Sequence, residues 1–145
     1  MKNPLKIRIY QKPRNLKLTV SQLSGYLLMV CREEGLTAGQ ISFIFTSSSH
    51  MRRMHKEFFN DSMSTDVITF NLDEHKLEGE IYIGYENAVE QADFYSVSPE
   101  DEILRLMIHG VLHLAGREDS SDSQRKSMHE KENEYLDLIK TGMIN

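Results

Sequence analysis

His109-Gly110-Val111-Leu112-His113-Leu114-Ala115-Gly116-Arg117-Glu118-Asp119 sets two imidazoles four residues apart, then a glycine, then a carboxylate three residues beyond it. Residues i and i+4 of an α-helix project from one face, with their side chains roughly 6 Å apart along it. That spacing suits two imidazole nitrogens reaching one cation at about 2.0–2.1 Å each. Gly116 can adopt the left-handed conformation that ends a helix, so the chain is expected to turn there and carry Asp119 back toward the histidines. Two His and one carboxylate leave a fourth tetrahedral position for water. That is the arrangement of a catalytic zinc site rather than a structural one.

The residues upstream spell an orderly helix. Ser98 stands as N-cap, Pro99 takes the first position, and Glu100, Asp101 and Glu102 occupy the first turn, where acidic groups complement the helix dipole. An apolar stripe follows at Ile103, Leu106, Met107 and Leu114, with Gly110 in its middle. Helical geometry puts His109 and His113 along one edge of that stripe, at the border between core and solvent. A pair of histidines at this spacing also arises by chance on polar faces. The turn signal and the acidic residue at the right distance favour a metal site.

The chain has 145 residues, enough for a single domain (1–145) with one core. Its 39% hydrophobic and 27% charged residues are ordinary for a globular protein. No apolar run approaches membrane-spanning length and no signal-peptide pattern opens the chain. The lone Cys31 excludes an intrachain disulfide and points to a reducing cytoplasm, with Cys31 itself a small core residue. Net charge is −5 but unevenly spread: residues 1–56 hold ten Lys or Arg against Glu33 and Glu34 alone, whereas the remainder is strongly acidic. Such polarity could build a basic face for a polyanion, or the halves could interleave and neutralise each other.

Around the histidine helix the pattern is that of an α+β domain, with about four strands in a mixed sheet and helices packed on it. Residues 5–10 alternate as a half-buried strand, and Thr19 or Ser21 opens a helix closed at Gly35. Residues 41–45 form a second strand. Ser47-Ser48-Ser49 caps a helix expected to turn Met51, Met54 and Phe58 inward, leaving His50, Arg52, Arg53, His55 and Lys56 around its solvated side. Residues 65–70 and 80–84 read as the third and fourth strands, joined by a polar connection over 71–79. A helix over 86–95 precedes the histidine helix. A last one is capped by Ser121 with Gln124 and buries Met128, Tyr135 and Ile139. His129 and His75 read as solvated side chains.

A zinc-bound water is acidic enough to give hydroxide near pH 7, and that nucleophile suits a peptide carbonyl or a phosphodiester alike. The spacing His-x-x-x-His-x-x-Gly-x-x-Asp resembles the metzincin protease motif, where the residue after the first histidine is the Glu that takes the proton from water. Here Gly110 stands in its place, which demotes a peptidase. No other residue is an evident general base; Asp66, Glu80 and Glu118 are candidates more readily read as surface or structural carboxylates.

His109-Gly-x-Leu-His113-Leu-x-Gly116, preceded by the strands Thr65-Asp66-Val67-Ile68-Thr69-Phe70 and Gly79-Glu80-Ile81, resembles the YbeY family of bacterial endoribonucleases. The resemblance implies a zinc-dependent, single-strand-selective RNA hydrolase of ribosomal RNA maturation and ribosome quality control. It also implies a cytoplasmic location and association with ribosomal components, with neither DNA nor membrane as partner. A metal-dependent peptidase, or a non-catalytic ribosome-associated protein with a structural ion, are the rival readings.

Two departures from the family pattern stand out. Asp119 replaces a third histidine; a carboxylate can ligate zinc at about 2.0–2.2 Å but makes the site harder and more anionic, which opens it to other divalent ions. Phe59 stands where the family usually carries an arginine suited to clamp phosphate. Arg52, Arg53 or Arg117 would have to substitute.

Overall fold

The alternation of Leu5 to Tyr10 builds an edge strand, β1 (Lys6–Tyr10), whose residues alternate between exposed and half-buried. The Thr19 hydroxyl then accepts a hydrogen bond from the Gln22 backbone while the Gln22 side-chain oxygen accepts one from the Thr19 N–H, a capping box that starts α1 (Val20–Glu33). In this computed structural model, which describes residues 4–59 and 66–142, the chain continues as β2 (Gln40–Thr46), α2 (Ser48–Phe59), β3 (Val67–Asn71) and β4 (Glu78–Gly84). Three helices complete it: α3 (Tyr85–Phe94), α4 (Pro99–Leu114) and α5 (Asp122–Lys140).

The sheet order is β1-β2-β4-β3. β1 and β4 both run parallel to β2, with Phe43 opposite Ile81, while β3 pairs antiparallel with β4 at the far edge. Crossover helices join the parallel strands, and the 72–77 connection turns the β3–β4 hairpin. This is the expected α+β architecture with a four-stranded mixed sheet. Boundaries shift slightly: β4 begins at Glu78, inside the stretch expected to be a connection, and α3 runs from Tyr85 to Phe94. Of the strand expected over 65–70, Thr65 lies outside the described residues, as does the side chain of Phe59.

The main core lies between the sheet and α1, α4 and α5, with Leu23, Leu27, Phe43, Ile81, Ile103 and Met107 among its fully buried members. Cys31 sits within it as expected, and burial, with Glu34 adding to it, pushes its thiol up to about 12. A smaller cluster of Met51, Met54 and Ile68 lies under α2. Phe58 does not join it. Its ring is 58% exposed and meets Phe70 edge-on at 5.1 Å; among the described residues α2 packs on β3, β4 and α3, which leave this side of its last turn uncovered.

α4 is more central than a single apolar stripe suggests. It packs on β3, β4, α1, α3 and α5, and buries Leu104, Ile108, Val111 and Leu112 besides the expected Ile103, Leu106 and Met107, while Leu114 of the expected stripe is half-buried. Its seven large buried apolar side chains, each contributing about 1.5–3 kcal/mol, make it the helix on which the fold closes. Gly110 permits this: a Cβ there would stand 2.7 Å and 2.8 Å from two carbons of Ile81, so helix and β4 touch backbone to side chain.

Candidate metal centre

α4 starts as its sequence demands, with the Ser98 hydroxyl accepting from the Asp101 backbone and Pro99 at the first turn. It ends at a Schellman turn. Gly116 has φ +98°, the Arg117 N–H donates to the Leu112 carbonyl at 3.0 Å, and the Gly116 N–H donates to His113 at 3.0 Å. The following loop is fastened to the start of α5, where Ser121 and Gln124 form a capping box, the Ser120 N–H donates to the Gln124 side chain and Arg125 donates to the Asp119 and Ser120 carbonyls. Asp119 is thereby held over the last turn of α4.

The three donors meet. His109 Nε2 and His113 Nε2 are 3.0 Å apart, and each lies 3.4 Å from Asp119 Oδ2. A tetrahedral ion with bonds of about 2.0–2.1 Å separates its ligand atoms by about 3.3 Å, so the triangle has the size of one tetrahedral face. All three side chains are partly exposed, at 21%, 30% and 37%; the open fourth corner faces solvent. The residues present fit a divalent cation of intermediate hardness, two imidazoles and one carboxylate being a catalytic donor set.

A fourth residue completes the centre from α5. Glu132 Oε2 lies 2.7 Å from His109 Nδ1, and its other oxygen accepts from Arg105 Nη1 at 3.1 Å. Arg105 in turn donates to Asn133 at 2.7 Å. The Glu132 side chain is only 6% exposed. An ionised carboxylate can only accept, so the proton of His109 belongs on Nδ1 and the Nε2 lone pair faces His113 and Asp119. Burial alone would lower the His109 pKa, yet the Glu132 hydrogen bond and charge, with Asp119 and Asp66, hold it above the usual imidazole value.

Two cavities flank the donors, with His109 and Val67 common to both. One, of about 500 Å³, opens between α3, α4 and α5 and includes Asp119, Glu102, Arg105 and Glu132. The other, of about 390 Å³, runs along β3 past His113 and His55. The edge strand therefore borders the centre on both sides.

The other expected site residues lie elsewhere. Arg52 and Arg53 are exposed on α2, where with Ser49 and Lys56 they line a third, shallow cavity. The Arg117 guanidinium is engaged with Glu34, the residue that caps the end of α1, Nε to Oε1 at 2.7 Å, and Tyr135 donates to the same carboxylate. Asp66 lines the larger cavity, Glu80 accepts from Tyr82 at 2.9 Å, and Glu118 accepts from Gln124 at 3.3 Å. His129 is 64% exposed but stands 3.8 Å from Glu132 and lines the larger cavity; His75 is exposed. Glu132, Arg105, Glu102 and His55 are features of the site that reading the sequence missed. Only the helical spacing of Glu132 with the buried Met128, Tyr135 and Leu136 could have signalled that it faces α4.

Donors converging on an open corner, between clefts and at the end of a buried helix, define a class: the hydrolases that work with a bound cation. The family model described as Endoribonuclease YbeY matches residues 7–140. The chain belongs to the YbeY family of endoribonucleases. It is 37% identical over 116 residues to Endoribonuclease YbeY of Flavobacterium psychrophilum, covering 79% of this chain and 83% of that protein. The protein of the same name from Chlorobium phaeobacteroides is 34% identical over 131 residues, covering 90% and 92%. The solution structure of TM1509 from Thermotoga maritima superposes with a TM-score of 0.68 at 30% identity, covering 92% of this chain and 88% of that one.

Proposed function

We propose that this chain is a metal-dependent endoribonuclease that hydrolyses single-stranded RNA during ribosomal RNA maturation and ribosome quality control, with zinc held by His109, His113 and Asp119. The observation that carries the reading is the donor triangle of 3.0, 3.4 and 3.4 Å lying between two clefts on an edge strand, in a member of an endoribonuclease family. The bound ion would supply Lewis acidity, polarising a phosphoryl oxygen and making hydroxide available near neutral pH. Glu132 fixes the His109 ring so that Nε2 points to the shared centre, and Arg105 keeps Glu132 from swinging away. Val67 and its neighbours on β3 offer a wall for an extended strand, which runs from one cavity to the other over the donors.

Arg52 and Arg53, exposed on the basic half of the chain, are assigned to the phosphates of the bound RNA beyond the clefts. Arg117 is assigned a smaller part, its charge already matched by Glu34. The same reading puts the protein in the cytoplasm with ribosomal components as partners; no helix among the described residues is long and apolar enough to cross a membrane. Against a peptidase, the position of a metzincin's general base is Gly110, and Ile81 leaves no room there for any side chain. The test incubates the zinc-loaded protein with labelled single-stranded RNA, duplex RNA and casein, with His113→Ala alongside. Cleavage of single-stranded RNA alone, lost in the variant, is expected. RNA cleavage unaffected by the substitution, or cleavage of casein, would overturn the assignment.

A further inference from the structure

The cavity of about 500 Å³ beside His109 and Asp119 has a size typical of small-molecule pockets, roughly 300–1,000 Å³. Its walls include Val67, Leu106 and Met128, and at its rim the α3–α4 connection holds Tyr95 and Val97 with 60% and 42% of their surfaces exposed. Ser96 between them has φ +57°, the left-handed turn that aims the two side chains. A flat apolar body would find rings and methyl groups here. Within this cavity stands Glu102, only 5% exposed, whose carboxylate takes part in no hydrogen bond among the described residues.

A carboxylate that is largely enclosed, faces a cavity and has no hydrogen-bond donor among the described residues is best satisfied by an occupant that brings a donor to it. The occupant is therefore a flat group with N–H bonds on its edge. The carboxylates of Asp66 and Glu102, away from the metal ligands, favour a neutral group that donates hydrogen bonds over a second phosphate in this part of the cavity. The donor triangle is at one end of the cavity, so a strand whose phosphate rests at the metal centre can turn its neighbouring base inward.

Resting on the reading of the site as an RNA hydrolase, we infer that this cavity is a nucleobase pocket that takes one unstacked base bearing an exocyclic amino group, read by Glu102. Adenine, cytosine and guanine each present an amino group that donates to a carboxylate oxygen of Glu102. Uracil has no amino group, and its one ring N–H lies between two carbonyl oxygens that face an acceptor with like polarity. The pocket thus selects cleavage beside amino-bearing bases and disfavours uridine. Base contacts of this kind discriminate by about fivefold or more.

The test has two arms. Zinc-loaded protein is given single-stranded oligonucleotides of equal length carrying adenine, cytosine, guanine or uracil next to a fixed cleavable linkage, and, separately, the four nucleoside monophosphates in an equilibrium binding titration. The parent is expected to favour amino-bearing bases over uracil at least fivefold in kcat/KM and in binding, and Glu102→Met, which keeps the wall apolar and filled, to collapse the ratio toward one. Glu102→Gln, which retains an acceptor, is expected to keep part of it. Equal treatment of uracil by the parent overturns the inference, whether or not any variant folds, as does a preference that survives Glu102→Met in a folded protein. If no oligonucleotide is cut but the monophosphates still show the preference, the hydrolase reading fails and the pocket stands.

Discussion

Glu132 Oε2 sits 2.7 Å from His109 Nδ1, joining α5 to the donor pair that α4 presents. The contact spans 23 residues of sequence and fixes one tautomer of one ligand. Outer carboxylates of this kind typically contribute 10- to 100-fold in metal affinity. Glu132→Gln is therefore expected to weaken zinc binding by about that factor, measured by competition with a chelator, while a Glu132→Asp variant recovers little because its carboxylate is one methylene too short. An affinity unchanged in Glu132→Gln would show that the hydrogen bond does not orient the ring.

Asp119 reaches the centre only because Gly116 turns the chain back. A metal titration of Asp119→Ala is expected to show a large loss of affinity, with Asp119→His restoring binding and favouring softer ions. Stripping the ion from the parent should lower its melting temperature, since a ligand of the native state alone stabilises it by mass action. A melting temperature indifferent to chelator would argue against a bound cation at this centre.

Gly110 is a packing residue. Adding the single methyl of Gly110→Ala brings a carbon to 2.7 Å from Ile81, too close for van der Waals contact. Urea unfolding is expected to show a loss of about 1–3 kcal/mol, and the same substitution made in an Ile81→Ala background is expected to cost less than it does in the parent. An equal increment in both backgrounds would mean that the helix simply shifts.

Glu34 gives the fold a pH dependence of known sign. Its side chain is 5% exposed, and burial alone would raise its pKa, but hydrogen bonds from Arg117 and Tyr135 hold it below the usual 4.5. A carboxylate depressed in the native state stabilises fully above its unfolded pKa, and this contribution is lost as pH falls through the folded value. Glu34→Gln should thus be less stable than the parent at pH 7, with the gap closing progressively below about pH 4.5. Arg117→Gln should show the same trend, and it should lower stability more than it lowers RNA cleavage.

Much of the centre was legible because its determinants are local. His109 and His113 share a face by helical period, Gly116 ends the helix through its positive φ, and Ser98, Pro99 and Ser121 mark helix starts by hydrogen bonds that reach three residues. The strands were legible from alternation, to within two residues at their ends. Phe58 turns outward instead of inward, because helical spacing alone does not say which neighbouring elements cover a face.

Local periodicity and turn chemistry determined where the helices and strands lie and which two imidazoles pair. Tertiary packing alone decided that α5 delivers Glu132 and Met128 beside α4, that Arg117 is spent on Glu34, and that Glu102 is shut into a cavity instead of facing water. The reason is physical: a helical period says which residues share a face, but only the sheet and the neighbouring helices determine what that face meets.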